Sequence, residues 1–128
     1  MYKIDKADFG VKLVFDGFIE AEEMSRWVAD AEKSLSTLSG GFGVFVDMRT
    51  LKPLNAEAQA QMEIGQKLFK AKGMARSVVI LNNAITTMQF KRIAKQTGID
   101  AWERYIDASS EPAWEKKGID WLKNSIEP

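Results

Sequence analysis

Two short runs, FGVFVDM at 42–48 and SVVIL at 77–81, are apolar almost throughout. Uninterrupted runs of this length fit strands buried on both faces, and such strands belong to parallel sheets covered by helices. The stretches around them carry a helical period instead. In EAEEMSRWVADAEKSLSTL at 20–38, Met24, Trp27, Val28, Ala31, Leu35 and Leu38 fall on one stripe. Glu20, Glu22 and Glu23 suit the start of that helix, and SGG at 39–41 ends it. A second helix is expected from Asn55 to Lys72, with Ala58, Met62, Gly65, Leu68 and Phe69 facing the core. A third, NAITTMQFKRIAKQTG, is capped by Asn82 or Asn83 and stopped by Gly98. A fourth, SEPAWEKKGIDWLKNS, takes Ser109 or Ser110 as its cap and Pro112 in its first turn.

YKID and GVKLVFDGFI alternate as half-buried strands and join through a tight turn at KADFG; WERYIDAS is a last strand. The order ββαβαβαβα predicts one α/β domain. Its sheet is mixed and mostly parallel, with an antiparallel strand at one edge and four flanking helices.

Composition narrows the chemistry. The 128 residues include no cysteine and no histidine. Disulfides, thiolate sites and cysteine nucleophiles are excluded, and the commonest general base and metal ligand is missing. No catalytic residue, metal or cofactor is expected. No apolar run approaches the ~20 residues of a membrane span, and the first ten residues lack the build of a secretory signal. A cytoplasmic location is expected. Net charge is zero, yet Ile64–Ile99 holds Lys67, Lys70, Lys72, Arg76, Lys91, Arg92 and Lys95 and no acid. Such a stretch suits an anionic partner, either lipid headgroups or an acidic protein face, or is simply solvated helix surface. Nucleic acid is not expected, because no aromatic residues interleave with the bases.

The carboxyl ends of parallel strands are the usual ligand positions in open α/β sheets. Here they carry Asp47 and Arg49, then Asn82, Asn83 and Thr86, then Asp107, Ser109 and Ser110. Arg49 offers a planar fork for a carboxylate or phosphate. The third helix opens without acids and presents free N–H groups. Against this, Asp47 and Arg49 can pair with each other, and Asn can simply cap. Asp47 with Asp107 would be the one carboxylate pair for acid–base work. Phe90 is expected to point outward beside Lys91, Arg92 and Lys95, as a partner surface or a peripheral membrane contact.

The element order around VFVDMRTLKPLNAEAQAQM resembles the STAS domain, the fold of sporulation-type anti-sigma-factor antagonists and of sulfate-permease tails. In that family a strand ends in Asp, and an Asp-Ser pair opens the next helix. Asp47 matches the strand end, Asn55 stands for the second Asp, and Ala56 stands for the phosphorylatable Ser. The resemblance is closest to the SpoIIAA-like bacterial branch, in which VDMR-type strand ends recur. It implies a STAS-like regulatory or protein-interaction module, acting through a protein partner or as a homodimer, without the phosphorylation switch. The surface expected to carry it comprises Asp47, Arg49, Asn55, Asn82, Asn83, Thr86, Phe90 and Arg92. The broader fold is similar to CRAL-TRIO lipid-binding domains, which implies the alternative of a small-ligand binder for a lipid or other amphipathic anion.

Overall fold

The computed structural model describes all residues, 1–128. Five strands, β1 (Tyr2–Ala7), β2 (Gly10–Gly17), β3 (Gly43–Leu51), β4 (Arg76–Leu81) and β5 (Glu103–Asp107), lie side by side in chain order. β1 runs antiparallel to β2 at one edge, and every later pairing is parallel. Helices α1 (Ala21–Leu35), α2 (Ala56–Ala71) and α3 (Ala84–Thr97) each link one strand to the next, and α4 (Trp114–Asn124) follows β5. With strands in chain order, right-handed crossovers place α1, α2 and α3 on the same face of the sheet. α4 alone covers the other face.

Period-2 alternation divides the strands between two cores. Val11, Leu13, Phe15, Val44, Val46, Met48, Val79 and Leu81 face the three-helix layer and join Met24, Trp27, Met62, Phe69 and Phe90. Phe45, Val78, Ile80 and Ile106 face α4 and meet Trp121 and Leu122. The turn at Asp8–Phe9 delivers the chain to Gly10, whose φ is 145°. A Cβ there would lie 2.2 Å from the Gly43 carbonyl oxygen, so the close β2–β3 approach requires glycine.

Several helix boundaries differ from the sequence expectation. α1 stops at Leu35, and Leu38 packs against the core from beyond its end. Glu20 is the N-cap of α1 without a capping side-chain bond. α4 begins only at Trp114, with Ala113 at its N-cap, so Pro112 precedes the helix and neither Ser109 nor Ser110 caps it. Both serines turn back on Asp107 instead: its Oδ1 accepts from Ser109 N at 2.9 Å and Ser109 Oγ at 2.6 Å, and its carbonyl accepts from Ser110 Oγ at 3.4 Å.

Candidate functional site

Asp47 is the central residue of β3 and Arg49 lies two residues further on. The strand continues to Leu51, so Asp47 does not end it as expected. Both residues lie on the face that α4 covers. The Asp47 carboxylate accepts from Arg49 Nε at 3.0 Å, Nη2 at 2.9 Å and the Arg49 backbone N at 3.1 Å. Burial pushes the Asp47 carboxyl up, but the bonds and charge of Arg49 outweigh it, and the net shift is downward. The guanidinium also lies 4.1 Å from the centroid of the Trp114 ring, anchoring the start of α4. Its fork is therefore directed at a residue of its own strand. Register places Asp47 beside Ile80 and Asp107 beside Leu81, so the two acids lie on opposite faces of the sheet. They form no carboxylate pair.

Asn55 and Asn83 hold the two helix starts. Asn55 Oδ1 accepts from Ala58 N at 2.9 Å, and Asn83 Oδ1 accepts from Thr86 N at 3.0 Å. Asn82 is exposed and Asn83 is the cap. The two are thus separable by experiment: Asn83→Ala should cost about 1 kcal/mol of stability, while Asn82→Ala stays within about 0.5 kcal/mol. Urea unfolding of both variants checks this, and equal losses would contradict the assignment. Ala56 is the exposed first residue of α2, directly after its cap.

Two expected site residues are buried. Thr86 is fully inaccessible, and its Oγ1 donates to the Leu51 carbonyl at 3.5 Å. Phe90 is 1% exposed and packs in the main core. The reason is the true stripe of α3, which runs Thr86, Phe90, Ile93, Ala94 and Thr97. The outward residues are Ile85 and Met88, 61% and 70% exposed. Lys91, Arg92 and Lys95 continue the exposed side of α3. Arg92 Nη2 donates to Gln59 Oε1 of α2.

Glutamines that sequence reasoning passed over tie this region together. Gln89 Nε2 donates to the Leu54 carbonyl at 3.0 Å, and Leu54 N donates to Gln89 Oε1 at 2.9 Å. Gln59 Nε2 donates to the same carbonyl at 2.9 Å. The loop after β3 is thereby fixed against both α2 and α3. A primary amide matches a backbone peptide group for group, but nothing local in the sequence marks which amide does so. Beside this region, Asn83, Thr87, Lys91, Tyr105, Asp107 and Ser109 line an open cleft of about 520 Å³ at the ends of β4 and β5.

A second cluster lies in the main core. Glu103, 5% exposed, accepts from Ser77 Oγ at 3.0 Å and from Tyr105 Oη at 2.5 Å. Burial pushes its carboxyl up to about 7, although both hydroxyls pull it down. Thr97 Oγ1 donates to Gln66 Oε1 at 2.8 Å. Glu103, Gln66 and Ser77 share the wall of a cavity of about 40 Å³ with Trp27, Phe69 and Phe90.

The basic stretch resolves into separate groups. Arg76 turns toward α4 and donates to the Leu122 carbonyl at 2.7 Å. Lys70 reaches from the last turn of α2 to the Thr97 carbonyl at 3.3 Å. Lys91, Arg92 and Lys95 stay on α3. No group of three or more acids, histidines or cysteines could hold a metal ion, and no helix is long and apolar enough to cross a membrane. No family model and no curated protein matches the chain. What the region can do therefore rests on its own geometry: a rigid, amide-fixed corner that presents two bare apolar side chains above a row of cations.

Proposed function

We propose that the chain is a non-catalytic, STAS-like interaction module whose contact surface is the outer face of α3. One observation carries this reading: Ile85 and Met88, one turn apart, are both more than half exposed on a helix whose charged residues are all cations. Exposed apolar side chains ringed by polar ones mark contact surfaces. Polar side chains fix the corner on which they stand, so little order has to be gained on binding. Ala56 at the start of α2 has no hydroxyl, which supports a module that is not switched by phosphorylation there.

A photo-crosslinking residue at Met88 tests the reading in the cells that make the protein. The expected result is a defined crosslinked species, absent when the same residue replaces Ser39 in the α1–β3 loop. Ile85→Ser with a Met88→Ser exchange should abolish binding of the species so found. It should change stability by less than about 0.5 kcal/mol, since both side chains are already in solvent. Absence of any Met88 crosslink above the Ser39 control would defeat the proposal.

The alternative, a lipid or amphipathic anion held between sheet and helices, draws less support. Ligand pockets commonly span about 300–1,000 Å³, while the interior cavity measures about 40 Å³. Neither Arg49 nor the start of α3 borders it.

A further inference from the structure

The zero net charge of the chain conceals two poles. Residues 16–32 carry six acids, Asp16, Glu20, Glu22, Glu23, Asp30 and Glu32, against the single cation Arg26. α3 carries Lys91, Arg92 and Lys95 and no acid. Fold topology sets these poles apart. α1 follows β2 near the β1 edge of the sheet, α3 precedes β5 at the other edge, and α2 stands between them. Each pole also has an apolar point. Phe18, 53% exposed, stands with Glu20, Glu22, Glu23 and Arg26 around an open recess of about 330 Å³. Ile85 and Met88 stand out from α3 near its start. α1 and α3 both begin at the carboxyl ends of parallel strands, so both apolar points lie at the same end of the sheet.

We propose that the partner of the α3 face is a second copy of this chain, which seats its α1 start there. Charge complementarity is the ground for choosing this occupant. The acidic recess offers Glu20 and the largely exposed Glu22 to Lys91, Arg92 and Lys95, while Glu23 is held by the Met1 amine at 3.0 Å. Phe18 gives Ile85 and Met88 an apolar partner. The two surfaces differ, so the contact is heterologous. Each copy keeps one free pole of either kind, and growth continues beyond the dimer unless a ring closes. Much of the attraction is between exposed charges, so it weakens steeply as salt shortens the Debye length. This inference rests on the α3 face being a contact surface.

Sedimentation velocity over a concentration series tests it. At about 0.05 M salt the weight-average mass should climb above the 14.4 kDa of one chain and pass the dimer. At about 0.5 M it should return to one chain. Lys91→Glu with Arg92→Glu makes the α3 face net acidic, and Glu20→Lys with Glu22→Lys makes the recess around Phe18 net basic. Each variant alone should stay monomeric, and the two mixed should associate again. Glu20, Glu22, Lys91 and Arg92 are all exposed, and a thermal melt of each variant confirms folding. A native chain that stays at 14.4 kDa at low salt overturns the proposal. So does association that survives both charge reversals. If the native chain is monomeric and Met88 still crosslinks to a different protein, self-association falls while the contact-surface reading stands.

Discussion

Raising the pH from about 5 to about 8 is expected to cost the protein about 3 kcal/mol of stability through one residue, Glu103. Its carboxyl lies against the cavity wall, and burial raises it from an ordinary 4.5 to about 7 in spite of the bonds from Ser77 and Tyr105. The sign follows from proton binding. Between these two values the folded chain holds a proton that the unfolded chain has released, so stability falls as pH rises. The contribution is complete below 4.5 and gone once the pH has passed through about 7. Asp47 acts in the opposite direction and in another window, because its carboxyl is shifted down. It loses stability only as pH falls below the ordinary carboxylate range. Denaturant unfolding across the pH range measures the effect, with Glu103→Gln as its control. Gln has no proton to release, so the variant should keep nearly constant stability between about pH 5 and 8. A native profile as flat as that of the variant would refute the assignment.

The largest mutational loss is expected at Trp27. Its indole stacks on Phe69 at 5.7 Å and meets Phe15 edge-on at 5.1 Å, and only 2% of it is exposed. Trp27→Ala should cost about 3–5 kcal/mol, a large part of the 5–15 kcal/mol that typically holds a domain folded. Trp27→Phe should cost far less, since the indole N–H has no hydrogen-bond partner to lose. Gly65 explains how so large a ring fits between α1 and α2. A Cβ at Gly65 would lie 2.1 Å from Trp27 Cζ3 and 2.5 Å from Cη2. In an exposed helix Gly→Ala gains about 1 kcal/mol; here the clash should reverse the sign and cost about 1–3 kcal/mol. Combining the two substitutions removes the ring that the methyl group strikes. Gly65→Ala should then stabilise the Trp27→Ala chain, so the double-mutant cycle should be strongly non-additive. Additive losses would show that Gly65 is not there to admit the indole.

The elements that could be read from the sequence are those whose signal is local. Val11, Leu13 and Phe15 alternate cleanly, and all three are buried. Met24, Trp27, Ala31 and Leu35 form a stripe on an otherwise polar helix, and they are the buried residues of α1. The cap at Asn55 and the stop at Gly98, whose φ is 84°, are equally local. α3 misled because it holds two apolar sets. Ile85 and Met88 are the more conspicuous near its start, whereas the set that meets the sheet begins and ends in threonine. A threonine that buries its methyl group and satisfies its hydroxyl on a carbonyl looks polar in a sequence. Glu103 was out of reach for another reason. Ser77, which stands opposite it across β4 and β5, lies 26 positions away, and only the parallel register unites them. The expectation that a strand ends at Asp47 was wrong, because the apolar run stops there while β3 continues through exposed Arg49 and Thr50 to Leu51. The Asp47–Arg49 pair was one of the readings the sequence allowed, but nothing local announced that Arg49 would stack on Trp114.

Because the strands lie in the order in which they are joined, a ribosome would deliver this sheet ready to assemble. Each new strand finds its neighbour already present, and each helix closes over strands made just before it. α4 is the exception. Phe45, Val78 and Ile80 are made early, and the Trp121 and Leu122 that cover them come last of the buried residues. A nascent chain halted before Trp114 would carry a finished three-helix face and a bare apolar strip on its back. That interval is when the protein would most need a chaperone.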